Sequence, residues 1–244
     1  MDSITGTSPR SLARMAGALY LVNIVLGAIA VGFIPAALIV TDNAAATAHN
    51  IQANELLYRF GIAAHVVVTA TNVPLVVIFY ELFRVVNRRV TLLLVFFSLV
   101  GTAVESASLL NQFAPLALLN GPHAGAVADQ QALSYAAVTV TGYDLGNVFY
   151  GFYAFAIGYL VFKSTFLPRA IGVLLVIDGI SYLVYSFADM LAPGFAANLV
   201  PWAQLPILPA EGSLCVWLLI SGVNVRRWSE RAATAVTAGL VAAQ

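Results

Sequence analysis

Carboxylic acids inside apolar segments are the residues of this sequence most able to do chemistry. A carboxylic acid kept neutral by apolar surroundings can donate a proton, and a nearby carboxylate can accept one. A charged side chain within a membrane costs about 2.5–3.5 kcal/mol on insertion scales, so it usually faces other helices or water. The catalytic candidates, each within an apolar run, are Asp144, Glu211, Glu105 and Asp178.

Other polar and aromatic residues follow these acids at the three- or four-residue spacing of a single helix face. Asn147 lies one turn after Asp144, and Tyr182 one turn after Asp178. Tyrosine rings on such faces would stabilise developing positive charge by cation–π contact. The predicted substrate-binding residues are His65, Asn72, Gln112, Tyr143, Asn147, Tyr150, Tyr182, Tyr185 and Asp189.

Membrane helices must position these side chains. The 244-residue chain is 61% hydrophobic and 9% charged, whereas about a quarter of the residues in a soluble domain are charged. Apolar runs long enough to cross a hydrocarbon core of about 30 Å cover residues 16–40, 58–85, 90–118, 135–162, 168–191 and 203–223. The predicted fold class is all-α, a single bundle of six transmembrane helices. Prolines interrupt the last run, so its helix is expected to begin near residue 210.

The basic residues indicate the orientation of the chain. All of them except Arg59 lie before the first span, after the sixth, or in the connections that follow the second and fourth. The positive-inside rule therefore predicts that both termini are cytoplasmic. We expect a multi-pass protein of the inner (plasma) membrane. We divide the chain into a cytoplasmic segment 1–15, a membrane domain 16–223 and a cytoplasmic tail 224–244. Within this tail, residues 229–244 are rich in small residues and are predicted to be loose. The first apolar run is longer than a signal peptide requires, so we expect it to be retained.

Estimated depths place the acids together. At about 1.5 Å per residue from the basic ends, Asp178 lies near the midplane and the other three acids lie in the outer half. We therefore expect one polar pocket that opens outward. The alternative is that the acids pair with Arg59 and His65 and only tie helices together, but interhelical hydrogen bonds in membranes average below about 1 kcal/mol.

Small residues and one charged pair have structural interpretations. Gly142 and Gly146 form a small-xxx-small pair, and Gly151 and Gly158 continue a stripe on the same helix, so a neighbouring helix can approach closely. Glu81 precedes a basic residue by three positions at the inner rim, which predicts a surface ion pair with Arg84.

Several kinds of chemistry have no signature in the sequence. Cys215 is the only cysteine, so there is no disulfide framework or CxxC pair, and we interpret it as a packing residue. No HExxH, GxSxG, P-loop or GxGxxG motif is present. The formal net charge is zero, which gives no indication of a nucleic-acid partner. We therefore expect no metal, no cofactor and no nucleic acid.

Several segments resemble one family of bacterial membrane proteins. GYLVFKSTFLPRAIGVLLVIDGISYLV at 158–184 and EGSLCVWLLISGV at 211–223 resemble its signature segments. ARMAGALYLVNIVLG at 13–27, NELLYRFGIAAHV at 54–66 and YELFRVVNR at 80–88 resemble its earlier parts. The family is domain-of-unknown-function family 4386. The resemblance implies six membrane helices and a bacterial origin, and it brings no activity or cofactor.

Three functions remain open. The first is a cofactor-independent membrane enzyme of isomerase or terpene-cyclase-like type, acting on a small lipophilic, possibly isoprenoid, molecule. In it, Asp144 or Glu211 is the acid, Glu105 or Asp178 its partner, and Asn147 with Gln112 orients the substrate. The second is a proton-coupled transporter or channel-like protein, since Asp, Glu and His residues form proton relays. The third is a non-catalytic subunit or lipid-binding protein. The expected partner is a membrane lipid or small lipophilic molecule, and the oligomeric state is not predicted.

Overall fold

The computed structural model of the protein describes residues 8–122 and 125–241, and every regular element within these ranges is a helix. The α-helices are α1 (Pro9–Gly27), α2 (Ile34–Leu38), α3 (Ala44–Ala53), α4 (Glu55–Phe83), α5 (Arg88–Leu109), α6 (Phe113–Leu119), α7 (Ala126–Ser164), α8 (Arg169–Leu191), α9 (Pro193–Gln204), α10 (Ile207–Ile220) and α11 (Val225–Val241). A π-helical segment, Ala28–Phe33, joins α1 to α2, and a 3₁₀ segment, Leu110–Gln112, joins α5 to α6. The all-α prediction is confirmed.

Five helical stretches of the described chain are long and apolar enough to cross a membrane. They are Pro9–Leu38, Glu55–Phe83, Arg88–Leu119, Ala126–Ser164 and Arg169–Leu191. A sixth crossing is counted only when α10 is joined to Val225–Ala235, and these two helices are bent by 100°. The chain is therefore a multi-pass membrane protein with five or six spans. The sixth predicted span is shorter than its apolar run, because α10 begins only after Pro206 and has 14 residues.

The chain divides into two compact units, which are described separately. Unit 1 comprises residues 1–21, 73–99 and 147–244, and unit 2 comprises residues 22–72 and 100–146. Unit 2 contains the π-helical and 3₁₀ segments. Pro35 follows the first of these segments and Pro115 follows the second. A proline within a helix has no N–H to donate and crowds the carbonyl four residues earlier, which accounts for an irregular ladder before each one.

In unit 2, the connections between the first and second predicted spans and between the third and fourth are partly helical. Asn43 caps α3 by accepting a hydrogen bond from the Ala46 N–H at 2.9 Å. The Gln52 side chain donates to the Leu119 carbonyl at 2.9 Å, which ties α3 to α6. An apolar core joins α2, α3, α4, α6 and α7; its buried members are Ile34, Leu38, Ala48, Ile51, Tyr58, Ile62, Leu116, Leu119 and Ala132. The α7 helix begins at Ala126, so the predicted fourth span was too short at its start.

Close glycine contacts hold α7 against α8 in unit 1. A Cβ atom added at Gly158 would lie 2.8 Å from the Gly172 carbonyl oxygen, and one added at Gly179 would lie 2.8 Å from the Gly151 carbonyl oxygen. Real Cβ atoms essentially never come this close. The predicted close packing at Gly151 and Gly158 is confirmed, and it places α8, which carries Asp178, directly against α7.

The tail after α10 is a helix, so the prediction of a loose tail was wrong. Gly222, at φ +64, makes the turn between α10 and α11. The Trp228 indole N–H donates to the Leu82 carbonyl at 3.0 Å, and the Arg227 guanidinium donates to the Thr165 carbonyl at 2.9 Å. These bonds tie α11 to the last turn of α4 and to the connection between α7 and α8.

Candidate functional site

Two carboxylic acids of unit 1 act on each other electrostatically without a cation beside them. Asp178, on α8, is 1% exposed, and neither of its carboxylate oxygens has a hydrogen-bond partner among the described residues. Glu211, on α10, lies close enough for its charge to act on Asp178. No Lys or Arg of the described chain lies within 4 Å of either carboxylate. We call Asp178 and Glu211 the carboxyl pair.

Among the described residues, tyrosine hydroxyls supply hydrogen bonds to one member of the carboxyl pair, Glu211. The Tyr182 hydroxyl donates to Glu211 Oε1 at 3.3 Å, and the Tyr20 hydroxyl lies near the same carboxylate. The charges of both Glu211 and Asp178 act on Tyr153, so Tyr153 does not distinguish the two acids. Hydrogen-bond donors stabilise a carboxylate, whereas a buried carboxylate without donors is costly. The two acids of the pair therefore lie in different polar environments.

The helices of unit 1 explain why Asp178 is buried and Glu211 is partly buried. On α8, Leu175, Asp178 and Gly179 are buried, while Ile177 and Ile180 are exposed. Asp178 thus shares the protein-facing side of the helix with the glycine that contacts α7. On α10, the protein-facing residues are Ala210, Leu214, Cys215 and Leu218. Close contact of α1 with α10 at Gly17 completes this side, since a Cβ atom added there would lie 2.8 Å from the Leu219 backbone nitrogen.

A second buried acid is paired with a histidine in unit 2. His65 Nε2, on α4, lies 2.7 Å from Glu105 Oε1, on α5, and the two residues are 2% and 3% exposed. The ring of Tyr143, on α7, meets the His65 ring edge-on, with centroids 6.4 Å apart. His65 Nδ1 has no hydrogen-bond partner among the described residues. We call His65 and Glu105 the histidine–glutamate pair, and its contact was one of the pairings that the sequence suggested.

Small residues bring α5 and α7 together beside this pair. A Cβ atom added at Gly142 would overlap the Ser108 side chain, and one added at Gly146 would lie 3.4 Å from the Gly101 carbonyl oxygen. The predicted small-xxx-small contact is confirmed. Because Gly146 also faces Glu105, the two glycines set how closely α7 approaches the histidine–glutamate pair.

An amide network in unit 2 contains residues that the sequence analysis missed. The Asn23 amide donates to Asn72 Oδ1 at 2.9 Å, and the Thr71 hydroxyl donates to Asn23 Oδ1 at 2.6 Å. Asn72 in turn donates to the Thr102 hydroxyl at 3.5 Å. Asn23 is a buried amide within the apolar part of α1. A single polar residue in such a run is the sequence feature that could have identified it. The network joins α1, α4 and α5 through Asn23, Asn72 and Thr102.

The remaining predicted residues have varied surroundings. Asp144 and Asn147 are both 4% exposed and both interact with other residues. Tyr150, Tyr185 and Asp189 are partly exposed, and the first two also interact with neighbours. The backbone carbonyl of Gln112, in the 3₁₀ segment, accepts a hydrogen bond from the Tyr58 hydroxyl at 3.0 Å. A single pocket that unites all the acids stays a prediction.

A metal site and a surface cleft are two other kinds of site that such a chain could contain. Residues 8–122 and 125–241 contain no group of three or more His, Cys, Asp or Glu side chains that could hold a metal ion. An open surface cleft of about 600 Å³ lies where α3 meets α4, lined by Ala53, Asn54, Glu55, Leu56, Leu57 and Phe60. None of the predicted site residues lines it. The carboxyl pair and the histidine–glutamate pair are therefore the two candidate centres.

These features define a polytopic α-helical membrane protein with acidic residues buried among its helices. The chain belongs to the family described as a domain of unknown function (DUF4386), whose model matches residues 15–222. This match confirms the resemblance seen in the sequence. No curated protein and no solved structure matches the chain. The family description assigns no activity, so function has to be argued from the two centres.

Proposed function

We propose that this chain is a membrane enzyme that moves protons on a small lipophilic molecule through the Asp178–Glu211 carboxyl pair. The observation that carries the proposal is the buried Asp178 carboxyl group, whose two oxygens find no partner in the described chain. One helical turn further along, the Tyr182 hydroxyl donates to a second carboxyl group, Glu211, whose charge acts on Asp178. Ionisable residues within a membrane are costly and usually mark functional sites. A purely structural acid would be expected to have a cation or several donors, as Glu105 has His65.

The pair can run acid–base chemistry without a cofactor. Two adjacent carboxyl groups without a cation are most stable when they hold one proton between them. The tyrosine hydroxyls favour charge on Glu211, so Asp178 is the proton donor and Glu211 the acceptor. This order is the reverse of the one suggested by the sequence. In an isomerisation, Asp178 gives its proton to one carbon of an alkene, and the positive charge forms on the other alkene carbon. Glu211 then removes a proton from the next carbon along, beside that cation, so the double bond moves by one position. No electrons leave the substrate, and the pair again holds one proton.

The orientation of the protein is part of the proposal. The basic residues of unit 1 lie at the ends of α4 and α7, at the beginnings of α1, α5 and α8, and on α11. The positive-inside rule assigns such an end to the cytoplasm. We therefore propose that both termini are cytoplasmic and that the protein resides in the bacterial plasma membrane. Reporter fusions at residue 244 and in the connection around residue 122 would be expected to give opposite topology signals.

Deuterium uptake tests the proposed chemistry without knowledge of the substrate. The purified full-length protein is incubated in D₂O with a lipid extract of its host membranes, and carbon-bound deuterium in the lipids is measured by mass spectrometry. We expect the protein to label a lipophilic component. Asp178→Asn and Glu211→Gln should lower the labelling rate by about 10²–10⁴-fold, the usual contribution of a positioned acid or base.

Glu81→Gln is the matched control. This acid belongs to the same unit but pairs with Arg84 at 2.8 Å, so its loss should leave labelling unchanged. Thermal unfolding in the same detergent identifies variants that fail to fold, and Glu211→Gln keeps the hydrogen-bond acceptor that Tyr182 uses. The proposal fails if folded wild-type protein labels nothing, or if both carboxyl variants label as fast as Glu81→Gln. Equal labelling rates in the carboxyl variants and in Glu81→Gln are the result expected if the carboxyl pair has only a structural role.

A proton-coupled transporter is the second candidate, favoured by unit 2. Two of its membrane helices are irregular, at Ala28–Phe33 and Leu110–Gln112, and irregular helices often occur at functional sites. The same unit holds the histidine–glutamate pair, and such residues form proton relays. Proton flux into liposomes carrying the protein, abolished by Asp178→Asn or His65→Gln, would support transport. Liposomes as tight as protein-free ones would count against it.

A further inference from the structure

We infer that the basic end of unit 1, organised by α11, binds the headgroups of anionic phospholipids. The basic end comprises Arg10, Arg14, Arg84, Arg88, Arg89, Lys163, Arg169, Arg226, Arg227 and Arg231. This inference does not depend on the carboxyl pair or on its chemistry. It concerns an interaction surface rather than a reaction.

Contacts within unit 1 show that these residues lie at one end. The Arg231 guanidinium donates to the Lys163 carbonyl at 3.1 Å, and Arg227 reaches Thr165 two residues further along. A Cβ atom added at Gly222 would lie 3.1 Å from Arg10 Cγ, which places the beginning of α1 beside the turn before α11. The basic residues of separate helices are therefore gathered by one C-terminal element.

The direction of α11 suits a membrane surface. It runs at 100° to α10, so if α10 crosses the bilayer then α11 lies nearly parallel to its plane. Its partly buried Trp228 faces the body of unit 1, while Arg226 and Glu230 are exposed on the other side. Helices with arginines on a polar face and a tryptophan on the other are typical of the membrane interface.

Charge identifies the occupant. Most of the basic side chains at this end are exposed, and the Arg226 side chain is 83% exposed. Glu81 and Glu230 are the acids among the described residues of this end, and Glu81 is already paired with Arg84. An exposed cationic ring at the level of the headgroups attracts anionic lipids, and each basic residue near the surface strengthens binding by about five-fold. A zwitterionic headgroup offers no such gain.

Native mass spectrometry of the full chain in neutral detergent tests the inference. Phosphatidylglycerol and phosphatidylcholine with identical acyl chains are titrated separately, at low and at high salt. We expect the protein to prefer phosphatidylglycerol, and salt to reduce the preference by screening. Arg226→Gln should weaken phosphatidylglycerol binding about five-fold, and the double variant Arg88→Gln with Arg89→Gln should weaken it further.

Two other variants make the result decisive. Arg59→Gln removes the basic side chain that belongs to unit 2 and should leave the lipid preference unchanged. Glu230→Gln removes an exposed acid beside Arg226 and should strengthen phosphatidylglycerol binding, an increase that misfolding would not produce. Equal binding of the two lipids, or equal losses with Arg59→Gln and Arg226→Gln, would overturn the inference.

Discussion

Replacing Gly158 with alanine should force α7 and α8 apart. The added Cβ atom would lie 2.8 Å from both the Gly172 carbonyl oxygen and Val176 Cγ2, whereas ordinary contact begins at 3.4 Å. The shortfall is therefore 3.4 − 2.8 = 0.6 Å. Backbone atoms cannot rotate away as a side-chain end can, so the helices themselves must move. Overpacking of this kind costs about 1–3 kcal/mol.

Alanine is more favourable than glycine in a helix by about 1 kcal/mol. This stabilisation by the new alanine must be separated from the cost of overpacking. Gly212→Ala provides the matched control, because it lies within a helix of the same unit and its Cβ atom would meet only Leu208 Cδ1 at 3.8 Å. Its free energy of unfolding should rise slightly. The difference between the two variants should then be about 1–3 kcal/mol, because the propensity term cancels.

Equilibrium unfolding in mixed detergent and dodecyl sulfate micelles, followed by circular dichroism, measures this difference. Gly172→Ala should behave like Gly158→Ala, because its Cβ atom would lie 2.7 Å from the Gly158 carbonyl oxygen. If Gly158→Ala proves as stable as Gly212→Ala, then α7 and α8 are not in backbone contact and the account of how α8 is positioned is wrong.

Two further substitutions test contacts at the candidate centre of unit 2 and at α11. His65→Ala should lower the free energy of unfolding by about 3–5 kcal/mol, because it leaves Glu105 buried without its 2.7 Å partner. The double variant His65→Ala with Glu105→Ala should have a smaller loss of unfolding free energy than the sum of the two single losses. Additive losses would contradict a direct interaction. Trp228→Phe should cost about 1–3 kcal/mol by leaving the Leu82 carbonyl without its donor, whereas Trp217→Phe, at a 39% exposed position, should stay within about 0.5 kcal/mol in the same unfolding assay.

Features that depend on local spacing could be predicted from the sequence. The apolar runs located five spans, because length and hydropathy together define a membrane helix. The three-residue spacing of Glu81 and Arg84 gave the ion pair that the structure contains. The glycine stripes predicted close helix contacts, which occur at Gly142 and Gly158. In each case the deciding information lies within a few turns of one helix.

Features that depend on distant contacts could not be predicted in this way. The α3 helix has ten residues and an Asn43 cap, and a short helix of this kind is stabilised by contacts such as that of Gln52 with Leu119. The α11 helix has an alanine- and threonine-rich second half, yet Trp228 and Arg227 anchor its beginning to carbonyls far away in the sequence. Hydropathy and composition contain no information about those carbonyls.

The candidate site shows the same division. The protein-facing side of the helix could be predicted for Glu105, Asp144 and Asp178, which are all buried. The neighbours of each acid depend on which helices are adjacent, which a single sequence does not reveal. The sequence therefore allowed Glu211 to pair with either Glu105 or Asp178, and it allowed Glu105 to pair with His65. The structure brings Asp178 to Glu211 and His65 to Glu105.

The two pairs differ in which of their buried polar atoms lack a hydrogen-bond partner among the described residues. In the histidine–glutamate pair, His65 Nε2 lies 2.7 Å from Glu105 Oε1, so burial of Glu105 is compensated within the protein, and His65 Nδ1 is the atom of the pair without a partner among the described residues. In the carboxyl pair, Tyr182 donates to Glu211, but Asp178 is left with two buried acceptor oxygens and a neighbour of its own charge type. A buried carboxyl group in that position is stable only when it carries a proton or meets a donor from outside the chain. The group that exchanges a proton with a bound molecule should therefore be sought at Asp178.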